Sequence, residues 1–231
     1  VYKRQDIWKS ARGLPSEVWY VHDDPDGTRL APEQRAYIQG YIDDFEAALY
    51  GPDFQDPEIG YQAFIDVDSF IDSHLLRALS NDPDGLRLSQ FWTKDRSGKL
   101  SGGPMWDFDR TMGNDGDSRS NDPRRWNAQS VNYLRYDWWG RLFQDPSFAQ
   151  RWVDRYHELR TSDVFTTQNF ARIVDEFAAE VAEAQPRNVA RWPGTAPNGG
   201  TFAQPGLDGW EAEVSHLKGW LDERTSWMDT Q

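Results

Sequence analysis

Apolar and polar positions along the chain alternate with a mainly helical period, broken by a few short extended runs. From Pro32, the positions Tyr37, Ile38, Tyr41, Ile42, Phe45 and Leu49 form one apolar stripe, which predicts a helix closed by Gly51 and Pro52. A second helix starts at the acids of "IDVDSFIDSHLLRALS", with Asp66 or Asp68 as N-cap and Phe70, Ile71, Leu75, Leu76 and Leu79 as its core face. Three further helices are predicted over "DPSFAQRWVDRYHELR" (cap Asp145, Pro146 first), "TTQNFARIVDEFAAEVAEAQ" and "LDGWEAEVSHLKGWLDERTSWM". A loop rich in proline and glycine separates the last two.

The extended runs are few. Residues 6–30 read as loop plus one strand, "EVWYV", before the turn "DDPDG". "NDPDG" turns the chain into "LRLSQFWT", and "KDRSGK" closes a hairpin whose second strand is expected to run into "PMWDFD". Residues 115–132 are polar and without period, which predicts a long surface loop. The fold class is therefore α+β, mostly α, with residues 1–231 in a single domain.

Composition narrows the chemistry. Twelve Trp and 14% aromatic residues belong to a packed core rather than to a disordered chain. A net charge of −13 argues against a nucleic-acid polymer as partner, because such binders carry a basic footprint. The same acids leave room for a divalent cation. There is no Cys, hence no disulfide and no thiolate chemistry, and no apolar run long enough to span a membrane. His22, His74, His157 and His216 show no pairing that would build a zinc site. Val1 and the lack of a signal peptide suggest a fragment or processed chain, and Val1 to Gln5 are expected to carry no structural meaning.

Three acidic clusters remain. "HDDPDGTRLAPE" places Asp24, Asp26, Gly27 and Glu33 as in a calcium loop, but His22 and Arg29 break the pattern, and a solvated turn capping the next helix is the better reading. "NDPDG" lies at one end of the expected hairpin, with Asp84 in it. Asp107 lies 23 residues later at the other end. A hairpin returns the chain to its start, so Asp84 and Asp107 should approach to roughly 10 Å, the scale of a metal–phosphate site. Asp107 and Asp109, at i and i+2 of a strand, would face one side. Phosphoryl transfer needs such a set: one carboxylate to orient the attacking hydroxyl, another to hold the metal that clamps the phosphates. The bland alternative is that Asp107 and Asp109 cap a turn or pair with Arg110, Arg124 or Arg125.

"GPMWDFDRTMGN", "YQAFIDVDSFID", "DGLRLSQFWTKDRSGKL" and "LKGWLDERTSWM" resemble, in order and spacing, the CotH kinase family of atypical protein kinases named for a spore-coat protein. The resemblance covers residues 30 to 231. It implies a protein-kinase-like C-terminal lobe with a small β-hairpin carrying the metal-binding Asp, and ATP with Mg²⁺ or Mn²⁺ as cofactors. It further implies transfer to Ser/Thr of secreted, cell-surface or spore-coat proteins, hence an extracytoplasmic location. By the motif, Asp84 takes the catalytic position and Asp107 the metal position with Asp109 beside it. Asp107 and Asn114 then contact the nucleotide–metal unit.

The sequence departs from the family pattern in three places. Arg77, Ala78, Leu79 and Asp82 stand where the family usually has Asn-Glu-Leu and a later Asn. Ser89 stands where a classical kinase has a metal-binding Asn, so that Asp109 or Asn114 would substitute. The strand-rich N-terminal part with its phosphate-contacting lysine is expected to be largely missing, and Lys3 and Lys9 have no equivalent context. The alternatives are an inactive CotH-like pseudokinase, an extracellular binding module that uses Trp such as Trp138 and Trp139 on sugars, or a calcium-stabilised structural domain.

Overall fold

A computed structural model of the chain describes residues 7–12, 19–86, 88–114, 119–128, 131–193 and 209–231; Val1 to Gln5 lie outside them. Helix α1 spans Pro32–Tyr50, with Pro at its first position. Its N-cap is Ala31, whose amide donates to Gln34 Oε1 at 2.8 Å. The acidic turn before it does not cap it: Asp26 Oδ1 accepts instead from the Thr28 amide at 2.8 Å. Helix α2 spans Val67–Ser80 and is capped by Asp66, which accepts from the Ser69 amide at 3.1 Å. It ends on Asn81 in the left-handed region (φ 51°), a conformation Asn tolerates better than most residues.

Strands β1 (Ile7–Lys9) and β2 (Trp19–Val21) pair antiparallel, so the expected single strand has a partner in the stretch read as loop. Three-residue strands carry too little alternation to declare themselves. Strand β3 (Trp92–Lys94) pairs with β4 (Leu100–Gly102) in the register Trp92↔Gly102. The hairpin is docked on the start of α2, where the Asp66 amide donates to the Leu100 carbonyl at 2.9 Å and the Leu100 amide to the Phe64 carbonyl at 2.9 Å. Gly102 permits this approach: a Cβ there would sit 2.9 Å from the Ser69 carbonyl oxygen and from Ser73 Cβ. The hairpin therefore stops at Gly102 and does not extend to Asp107. Its second strand fails to reach "PMWDFD" because Gly103 takes φ +120° and the chain turns away.

Strands β5 (Asn127–Ala128) and β6 (Val131–Asn132) fall inside the polar segment expected to be loop. Helices α3 (Asp137–Leu142), α4 (Pro146–Thr161), α5 (Thr167–Val181), α6 (Ala184–Arg191) and α7 (Trp210–Met228) complete the described chain. The expected long helix through Gln185 is interrupted after Val181 and resumes as α6. Six-residue α3 was not predicted, being too short for a period to show.

The core lies between α1, α2, α3 and α4. Phe70 stacks on Trp92 at 4.4 Å, and Phe45 meets Trp138 edge-on at 4.9 Å. Trp138 and Trp139 are buried core residues, which removes them as a sugar platform. Tyr37 and Leu76, expected in the core, are partly exposed; His74, Arg77 and Ala78 occupy the buried face of α2 instead. Glu46 is fully buried on α1 and accepts from Ser10 Oγ (2.6 Å), Tyr20 OH (2.5 Å) and Trp138 Nε1 (3.0 Å). These three donors satisfy a carboxylate that would otherwise be costly to bury, and they pin β2 to α1 and α3.

His74 is wholly buried and held at both nitrogens. Trp152 Nε1 donates to Nδ1 at 3.0 Å, and Nε2 lies 2.9 Å from the Tyr133 carbonyl, so Nε2 carries the single proton. Burial, against a smaller opposing contribution from the Tyr133 carbonyl, pulls its pKa down to about 4. The unfolded chain, with an ordinary His near 6.5, therefore binds the proton first, and folding stability falls as pH drops from about 6.5 towards 4. The shift amounts to about 3 kcal/mol at the acid end of that window. Asp82 and Asp109, both shifted upward, act in the opposite sense. Urea unfolding at pH 7 and pH 5 should show a clear loss at pH 5; identical midpoints would contradict the assignment.

Candidate active site

The site is built where α2 ends. Asn81 reverses the chain, and its side chain is fixed by Tyr133 OH donating to Oδ1 at 3.1 Å and by Nδ2 donating to the Asp122 carbonyl at 3.2 Å. Asp82 is buried and folds the next turn on itself: its Oδ1 accepts from the Asp84 amide (3.0 Å) and the Gly85 amide (2.9 Å). Its Oδ2 pairs with the guanidinium of Arg77, which is also fully buried. Burial raises the Asp82 pKa despite the Arg77 charge and these bonds, which oppose it. Gly85 is required by the packing, since a Cβ would lie 2.2 Å from Asp82 Oδ2 and 2.4 Å from Arg77 Cδ.

Asp84 is thus presented on a braced turn, with its side chain 17% exposed. Arg119 Nη1 lies 3.1 Å from its Oδ1, and Arg110 Nη1 lies 3.9 Å from its Oδ2. The Asp84 carbonyl accepts from the Leu88 amide at 2.7 Å and the Ser89 amide at 3.3 Å, which closes the turn.

The second half of the site comes from the "WDFD" segment. Asp107 is not in a strand; it sits in the left-handed region at φ +68°. The reason expected for two same-facing acids, a β pleat, is therefore wrong. The left-handed turn at Asp107 brings its carboxyl against that of Asp109 instead. Partial desolvation, followed by the hydrogen bond and charge of Asp107, raises the Asp109 pKa. Two carboxyls in contact disfavour double ionisation, an arrangement a divalent cation relieves. Asn114 donates from Nδ2 to the Asp109 carbonyl at 2.9 Å, so it fastens the turn carrying these acids.

The two halves touch. Ser89 Oγ donates to Asp107 Oδ2 at 2.9 Å. Arg110, which follows Asp109, reaches back to Asp84. The Asp84 loop and the Asp107–Asp109 turn are therefore linked through Ser89 and Arg110. Asp107 and Asp109 do not engage Arg124, which pairs with Glu223.

Sequence reasoning missed the roles of Ser89, Arg110 and Arg119. It also misread the segment behind them. Residues 119–126 are fastened to α7: Trp220 Nε1 donates to the Asn121 carbonyl at 3.0 Å, and Arg224 donates to the carbonyls of Pro123 (2.6 Å) and Arg125 (2.7 Å). A backbone satisfied by side chains of a distant helix needs no period of its own, so it reads as loop.

A family model for CotH kinase protein matches residues 4–228. The chain belongs to the CotH kinase family. The family is one of atypical kinases, so membership implies phosphotransferase chemistry. No curated protein and no solved structure matches the chain. Among the described residues no helix is long and apolar enough to cross a membrane. No group of three or more His, Cys, Asp or Glu side chains converges as a metal cage among them either. A carboxylate pair such as Asp107 and Asp109 is compatible with Mg²⁺, an ion ordinarily held by one or two carboxylates plus substrate phosphates rather than by a protein cage. Arg77 and Asp82, two of the departures from the CotH pattern, are in contact with each other and form one buried unit.

Proposed function

We propose that this chain is the catalytic body of a CotH-type protein kinase that transfers the γ-phosphate of ATP to Ser/Thr hydroxyls of secreted, cell-surface or spore-coat proteins. The observation that carries the reading is the junction at Ser89, where the loop bearing Asp84 bonds the carboxylate of Asp107. Asp107 and Asp109 would hold the divalent metal. When bound, that ion would supply charge neutralisation to the phosphates.

Asp84 accepts the hydrogen bond of the incoming hydroxyl and receives its proton as the new P–O bond forms and the β–γ phosphoanhydride bond breaks, with ADP as the leaving group. Asp84 is ion-paired with Arg119, which fixes its direction, and the loose transition state of phosphoryl transfer asks for little more than orientation. Arg110 and Arg119 bring two guanidinium groups to the spot where phosphate charge would develop, and such donors act most strongly where charge builds up. Asn114 keeps the Asp107–Asp109 turn closed and so sets the pair's spacing.

Incorporation of radiolabel from γ-³²P-ATP into a Ser-rich secreted protein, with Mn²⁺ or Mg²⁺ present, tests the reading in the full-length gene product. Divalent-dependent labelling on Ser or Thr is the expected result. A protein that binds metal and ATP and never labels any Ser- or Thr-bearing substrate would overturn it.

A further inference from the structure

The site's two loops share one buried cation. Arg77, on the inner face of α2, is fully buried and makes three different contacts with its guanidinium. Nη1 pairs with Asp82, which in turn holds the amides of Asp84 and Gly85. Nη2 donates to the Ser89 carbonyl at 2.6 Å, and Ser89 carries the hydroxyl that bonds Asp107. The plane of the group lies over the Phe108 ring at 4.3 Å, between Asp107 and Asp109 in the chain. Each contact uses a different part of a rigid planar fork, so the fork cannot turn to follow one loop without leaving the other.

We propose that Arg77 is a positioning residue that locks the Asp84 turn and the Asp107–Asp109 turn in one register, so that displacement of either displaces both. Its catalytic meaning rests on the kinase reading above; the coupling itself does not. Lysine cannot substitute, since a single ammonium group reaches neither three sites nor a ring face in the same way. Loss of the guanidinium alone would leave Asp82 buried and uncompensated, with a large cost in stability. The test therefore needs a variant that separates packing from positioning.

Arg77→Met combined with Asp82→Asn removes both buried charges, keeps an acceptor for the Asp84 and Gly85 amides, and deletes the links to Ser89 and Phe108. Phe108→Leu, which leaves Arg77 and Asp82 intact, is the reciprocal variant. Amide exchange by NMR on the chain without nucleotide reads the coupling. In the double variant the Thr111 amide, which donates to the Phe108 carbonyl at 3.3 Å, should exchange about tenfold faster while α4 stays unchanged. In Phe108→Leu the Asp84 and Gly85 amides should accelerate at least about threefold, although Phe108 bonds neither.

In the full-length protein, Phe108→Leu should lower kcat while leaving the KM for ATP within about twofold. Exchange changes confined to the mutated turn, or spread evenly through α4, would overturn the coupling. Coupled exchange with an unchanged kcat in an active kinase would overturn the positioning role. If the wild type transfers no phosphate, the exchange measurements still decide the coupling.

Discussion

Asp107→Ala should abolish both nucleotide-dependent metal binding and phosphate transfer. Asp107 is one of only two carboxylates in its turn, and it is the one fastened to the Asp84 loop by Ser89. On the proposed reading, removing it would leave Asp109 as a single ligand, and Mg²⁺ sheds its water reluctantly for so little. Calorimetry with Mn²⁺ and a non-hydrolysable ATP analogue should show binding by the wild type, binding weaker by a factor of about 100 for Asp107→Asn, and none for Asp107→Ala. Without nucleotide, the wild type should bind Mn²⁺ only weakly. Equal affinity in wild type and both variants would place the metal elsewhere.

Asp84→Asn should behave differently. The side chain keeps its size and an oxygen for Arg119, and the amides of the turn stay bound to the Asp82 carboxylate. On the proposed kinase reading, what is lost is the proton acceptor for the attacking hydroxyl. Turnover should fall by about 10²- to 10⁴-fold with the KM for ATP nearly unchanged. A parallel loss of ATP affinity would show that Asp84 holds the nucleotide rather than the hydroxyl.

The sequence made the larger elements readable because each carries local signals. The apolar stripes and the caps at Asp66 and Asp145 place α2 and α4, and Pro32 with Gly51 brackets α1. What escaped had no local signal. The β1–β2 pair and α3 are too short for a period, and the 119–126 segment is ordered by Arg224 from about a hundred positions away in the chain. Burial draws the Arg224 pKa down to about 10, the mark of a cation held for its donors in a dry place.

Within the candidate site, the motif singled out the three acids, and the backbone geometry around them was not legible. Left-handed geometry at Asp107 is invisible in a residue type that usually avoids it. Arg77 did leave a trace: it falls on the same helical face as Phe70, His74 and Ala78, where a charged residue is out of place unless it is paired. Read as a deviation from the family, it looked like a lost function. Its contacts with Asp82, Ser89 and Phe108 make it a brace.

On the kinase reading, Asp84, Asp107 and Asp109 face one metal–nucleotide cleft. The most direct measurement is a crystal structure of the full-length protein with Mn²⁺ and a non-hydrolysable ATP analogue, using the anomalous signal of manganese to place the ion. The anomalous peak is expected at Asp107 and Asp109, with the terminal phosphate lying between the ion and the Asp84 carboxylate. A peak at the Asp24–Asp26 turn, or a nucleotide bound on a different face of the domain, would contradict it.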